Sequence, residues 1–146
     1  MQIEIPTWFL DMQKRNTFAK KEHLCGEKET TKLYEEGRSL FVFPYRCVYS
    51  LTGKEDDVPV RCMMTVSKKR FRHAVDRNRG KRQMREAYRL NKHSLIECVE
   101  KTGQNLHVAF HFIGEKLESS QFMHKKMILL LNRLEQKIAN EGKTGK

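Results

Sequence analysis

The chain has 146 residues, 38% apolar and 32% charged, and its 29 Lys and Arg against 18 Asp and Glu give a formal net charge of +11. That length suits one domain with a modest core. The longest apolar run, Met127–Leu131, falls far short of the roughly 20 residues of a membrane helix, and a start carrying Glu4 and Asp11 does not read as a signal peptide. The cation excess selects a polyanionic partner, nucleic acid ahead of an anionic membrane surface. Cys25, Cys47, Cys62 and Cys98 then read as reduced thiols of a cytoplasmic protein.

Residues 1–17, with Pro6, Trp8 and Phe9, form an N-terminal extension without a sustained period. A helix is expected over Cys25–Glu36, contacting the core through Leu33 and Tyr34 and stopped by Gly37. Ser39–Leu51 reads as a strand, long enough to split in two, with Pro44 at an edge or bulge. Leu51–Pro59 is an acidic turn, and Val60–Val66 a strand with Val60, Cys62, Met64 and Val66 on one face. The basic loop Ser67–Arg72 enters a helix over Ala74–Asn91; His93–Lys101 continues it or forms a second one, and Gly103 ends it. Asn105–Ile113 alternates Leu106, Val108, Phe110 and Phe112 against His107, Ala109 and His111. Ser119 caps a last helix whose Phe122, Ile128, Leu131, Leu134 and Ile138 follow helical spacing into the core. Residues 18–140 are thus one domain, and 141–146 a polar tail. The fold class is α+β: a two-layer sandwich of a small mixed sheet, about four strands, with helices on one face.

The charge is concentrated. Ser67–Lys92 holds eleven cations and two acids, Asp76 and Glu86, for a net +9 of the total +11. In the helix, Arg77, Lys81 and Arg85 at i, i+4 and i+8 form a column, with Asn78, Arg82 and Arg89 beside it, while Val75, Met84, Ala87 and Tyr88 face elsewhere. Stacked like charges repel by a few tenths of a kcal/mol per pair, roughly, a cost that a polyanion relieves. Arg supplies a planar fork for phosphate oxygens, and Asn78 suits sugar hydroxyls or base edges. Gly80 costs about 1 kcal/mol against Ala in a helix, justified by close approach of a phosphate backbone or a neighbouring strand. The bland reading of such a run is a solvated basic face; its density, its Arg bias and the interposed Asn78 argue against that.

The run Ala74-Val75-x-Arg77-Asn78-Arg79-x-Lys81-Arg82-x-x-Arg85-Glu86-Ala87-x-Arg89, preceded by Val66-Ser67-Lys68-Lys69, closely resembles the signature of the bacterial ribonuclease P protein component. Weaker likeness runs from Phe18-x-Lys20-x-Glu22-x-Leu24 through Leu33-Tyr34-x-x-Gly37 to the last helix, over roughly residues 18 to 135. The resemblance implies a sandwich with a left-handed βαβ crossover, where the sequence alone predicts the common right-handed one. It also implies a ribonucleoprotein subunit that assists removal of 5′ leaders from precursor tRNA, with catalysis by Mg²⁺ ions in the RNA subunit and no cofactor bound by the protein. Its partners would be that catalytic RNA and the precursor tRNA leader, with no membrane and no obligate protein partner. Carried over by motif, Ser67, Lys68, Lys69, Arg77, Asn78, Arg79, Lys81, Arg82, Arg85 and Arg89 would contact RNA. Tyr34 and Tyr49 would line a cleft for the single-stranded leader, each stacking worth roughly 1–3 kcal/mol. Thr30 stands where the family often has an aromatic one turn before Tyr34.

Other chemistry finds little support. The cysteines lack CxxC spacing, His107 and His111 sit ~13 Å apart along a strand as surface or sheet-face residues, and Asp56-Asp57 fits an acidic turn better than a cation site. No phosphate-binding loop, nucleophile elbow or HExxH helix occurs, so no catalytic residue is expected. The alternatives are a ribosomal-type or RNA-chaperone protein without a role in leader removal, and a DNA-binding module, which would lack a helix-turn-helix pair.

Overall fold

The computed structural model describes residues 20–24, 26–53 and 58–144. The extension with Trp8 and Phe9, Cys25, and the Lys54–Asp57 part of the acidic turn lie outside the described residues. A 3-10 turn, Lys20–Glu22, precedes α1 (Glu27–Glu36), β1 (Arg38–Val42), β2 (Tyr45–Thr52) and β3 (Val60–Val66). These are followed by α2 (Ala74–Asn91), α3 (His93–Thr102), β4 (Asn105–Phe112) and α4 (Ser120–Thr144). The strands form a mixed sheet in the order β1-β2-β4-β3, parallel only between β3 and β4. The long aromatic stretch divides at Phe43-Pro44 because Pro44 has no N–H to give the ladder, and Val42 turns back to face Tyr45.

Alternation sorts the sheet into two faces. Tyr45, Cys47 and Tyr49 join the even positions of β3 and the Leu106, Val108, Phe110, Phe112 row of β4 in one buried cluster. α2, α3 and α4 close over it with Met84, Tyr88, Leu95, Met127, Leu130 and Leu134. Tyr88 packs on Phe110 with ring centroids 5.7 Å apart. Each large side chain sealed there contributes about 1.5–3 kcal/mol by leaving water.

α1 does not share that layer. It lays Leu33 on the opposite face, against Val48 and Ala109 and beside Leu24 and Met63. The expected helices on one face are therefore α2 to α4, while α1 crosses the other. The α1–β1 junction explains why. Gly37 donates its N–H to the Leu33 carbonyl at 2.7 Å, and a Cβ there would collide with that oxygen and stand 2.6 Å from Val48 Cγ1. Only a glycine lets the chain fold back this closely.

Boundary signals act as expected at both later helices. Gly103 ends α3 at φ 70°, and Ser119 Oγ accepts the Phe122 N–H at 3.2 Å. α2 and α3 are separate helices, broken at Lys92. Along α4 the buried stripe is Met123, Met127, Leu130, Leu131, Leu134 and Ile138. Phe122 and Ile128, placed in the core by spacing, are only half-buried, Phe122 lying under the Lys126 ammonium at 5.5 Å. α4 also runs into the expected tail, where Glu141 accepts Arg38 Nη1 at 2.6 Å.

Candidate nucleic-acid interface

α2 is seated on the core by Gly80, Met84, Ala87 and Tyr88. A Cβ on Gly80 would stand 3.1 Å from Val66 Cγ2 and 3.2 Å from Leu117 Cδ2, so the neighbouring strand and loop account for this glycine. The solvent-facing crest opposite carries Asn78, Arg82, Arg85 and Arg89. With His23 and Glu86 they line a groove of about 460 Å³ between α2 and the N-terminal segment. Arg89 Nη2 lies 2.5 Å from Glu86 Oε1, which holds that guanidinium in place.

Of the Arg77, Lys81, Arg85 column, only Arg85 belongs to the crest. Lys81 is half-buried. Arg77 Nη1 turns back to the Phe71 and Arg72 carbonyls, at 2.8 Å each, so it pins the entry loop to the helix. Arg79 projects from the exposed flank. In the loop, Lys68 and Lys69 are exposed, Ser67 Oγ accepts the Lys69 N–H at 3.2 Å, and Arg70 Nη1 donates to the Ile113 carbonyl at 2.6 Å. Lys92, counted by composition among the cations, is buried in an ion pair with Glu22.

On the α1 side of the sheet, register aligns one residue from each strand into a single row. Phe41 faces Arg46, Arg46 faces His111, and His111 faces Thr65. Arg46 Cζ stands 5.7 Å above the 57%-exposed Phe41 ring. His111 Nδ1 bonds Thr65 Oγ1, and its Nε2 lies 2.9 Å from the Tyr34 hydroxyl of α1. Burial, then the Arg46 charge, holds the His111 pKa below its ordinary value. Burial raises that of Tyr34, partly offset by Arg46.

Tyr49 is not in this row. It is 3% exposed on the opposite face, donates to Glu141 at 3.4 Å, and has its pKa pushed up to about 12 by burial and by that carboxylate. Tyr34 and Tyr49 are thus separated by the sheet. Val48, one residue earlier, occupies the α1 side, and a one-residue offset in a strand exchanges faces. Thr30 donates its hydroxyl to the Gly26 carbonyl at 2.8 Å and presents no ring. Phe41 and Arg46 were missed because alternation assigns faces only once the turn at Pro44 is located. The equal spacing of His107 and His111 did place them together on a sheet face. Cys47 and Cys62 are buried, and among the described residues no three His, Cys, Asp or Glu side chains group as metal ligands.

A family model described as Ribonuclease P matches residues 18–135. The chain belongs to the ribonuclease P protein family. The ribonuclease P protein component of Porphyromonas gingivalis is 38% identical over 117 residues, which cover 80% of this chain and 85% of that one. That of Chlorobaculum tepidum is 37% identical over 93 residues, 62% of this chain and 60% of its own. The structure of the Staphylococcus aureus RNase P protein superposes with a TM-score of 0.62 at 19% identity, over 77% of this chain and 94% of that one. A mutant of the same protein gives 0.63 at 16%, over 89% and 98%. These two structures share the mixed α+β fold. Membership makes the chain a protein component of ribonuclease P, an RNA-processing endoribonuclease of tRNA maturation. No helix among the described residues is long and apolar enough to cross a membrane.

Proposed function

We propose that this ribonuclease P protein binds a catalytic RNA through the α2 crest and the Ser67–Arg72 loop, and holds the single-stranded 5′ leader of precursor tRNA across the α1 side of its sheet. One observation carries the reading: two surfaces of different chemistry. The crest groups Asn78, Arg82, Arg85 and Arg89 in a groove with one carboxylate, suited to phosphates of a folded RNA. The α1 side of the sheet offers Tyr34 from the helix with Phe41 and Arg46 from the row, rings and a guanidinium on which unpaired bases stack. Cleavage belongs to the RNA and its Mg²⁺ ions, while the protein's cations screen phosphate repulsion and align the leader in the cytoplasm.

A mobility-shift titration tests the first half. The chain should prefer its cognate RNA subunit to duplex DNA of equal length and to unrelated structured RNA at matched salt. Equal affinity for all three would reject the assignment.

A further inference from the structure

Resting on the leader reading above, we propose that His111 is a positioning residue that sets the Tyr34 ring as a fixed wall of the leader site. Three elements meet at its imidazole: Thr65 of β3 holds Nδ1, β4 supplies the backbone, and the Tyr34 hydroxyl of α1 meets Nε2 at 2.9 Å. With both ring nitrogens engaged, the imidazole cannot turn without losing a hydrogen bond. The Tyr34 ring is held with it, its centroid 5.6 Å away at an interplanar angle of 36°.

This tether matters because α1 has so little else. It has ten residues and buries Leu33, and among the described residues the Tyr34–His111 bond is the side-chain hydrogen bond that joins it to the sheet. A single apolar anchor resists rotation of the helix only weakly; a polar contact one residue along adds to the hold of the Gly37 junction at its end. Tyr34 is 43% exposed, so its hydroxyl is used internally while the ring remains open to a base. Pre-setting the ring spares the ordering cost that a free aromatic would meet on binding RNA. The row also sets the spacing, since His111 is directly opposite Arg46 and Arg46 opposite Phe41. Fixing Tyr34 over His111 therefore fixes its distance from the Phe41–Arg46 pair.

The test uses the reconstituted holoenzyme and compares its affinity for precursor tRNA with that for mature tRNA. His111→Phe keeps the volume and removes both hydrogen bonds; His111→Gln can restore them. His111→Phe should lower the preference for the leader-bearing substrate about three- to tenfold, the scale of one net hydrogen bond. Tyr34→Phe should do the same, the double variant should lose no more than either single one, and His111→Gln should recover much of the loss. Affinity for the catalytic RNA should not move in any of them, which a general folding defect would not allow. If Tyr34→Ala abolishes the leader preference and His111→Phe leaves it intact, the positioning role is overturned and the leader site stands. If neither variant changes the preference, the leader site is wrong and the proposal goes with it.

Discussion

Lys92 Nζ lies 2.6 Å from Glu22 Oε1 with the lysine side chain 1% exposed, so an ion pair at the end of the basic helix is sealed under the N-terminal 3-10 turn. The same short segment borders both surfaces. His23 lines the α2 groove and bridges to Cys62 at the free edge of β3, while Leu24 packs under α1.

Removing one member of such a pair takes the opposite charge, 2.6 Å away, from a largely buried group. Lys92→Met should cost about 3 kcal/mol of unfolding free energy, and a companion Glu22→Leu should recover at least half of it. Urea denaturation of the two variants checks this; an unchanged midpoint for Lys92→Met would mean that the pair contributes nothing net.

Arg77 and Arg82 are neighbours in the motif with different duties. Arg77→Ala removes two carbonyl contacts on the entry loop and should cost about 1–3 kcal/mol of stability. Arg82→Ala should change stability by less than about 0.5 kcal/mol. It should weaken RNA affinity and flatten its log-salt slope by just under one, roughly one phosphate contact. Binding titrations from low to moderate salt, beside thermal melts, separate the two.

Gly37→Ala should destabilise by about 1–3 kcal/mol, the range for overpacking, because the added methyl meets a backbone oxygen and Val48 at once. Chemical denaturation of the variant is the check, and a gain in stability would contradict the close junction.

His111 faces Arg46 of β2, Tyr34 of α1 and Thr65 of β3, and its folded pKa lies below the ordinary 6.5. Between those two values the unfolded chain binds the proton and the folded chain does not. Stability should therefore rise with pH through that window, be complete above about 6.5, and fall as pH drops through the folded pKa. His111→Phe should lack this component. Urea midpoints of both proteins from pH 5 to pH 7.5 should show a flatter profile for the variant.

Much of this was legible because period and punctuation are local. The buried alternation of Val60–Val66, the Ser119 cap, the Gly103 stop and the dense basic helix all depend on residues close in sequence. The rest depended on distant partners. The resemblance pairs Tyr49 with Tyr34 in one cleft, but the hairpin break at Pro44 sets the register so that Val48, not Tyr49, points towards α1. The Arg77 column splits because Gly80 joins Met84, Ala87 and Tyr88 in the seat of the helix, which leaves Arg85 exposed and Arg77 and Lys81 half-buried. Lys92 looked like one more cation, since nothing near it in sequence announces Glu22, seventy residues away. Met123 and Met127 took the core positions that spacing had given to Phe122 and Ile128.

Multiple-turnover cleavage of precursor tRNA by the cognate RNA subunit at low Mg²⁺, with and without the chain, tests the central claim most directly. Added protein should raise the rate, and a protein carrying Arg82→Ala and Arg85→Ala together should need a higher concentration to reach the same stimulation. A rate unchanged by the native protein at saturating concentration would contradict the account.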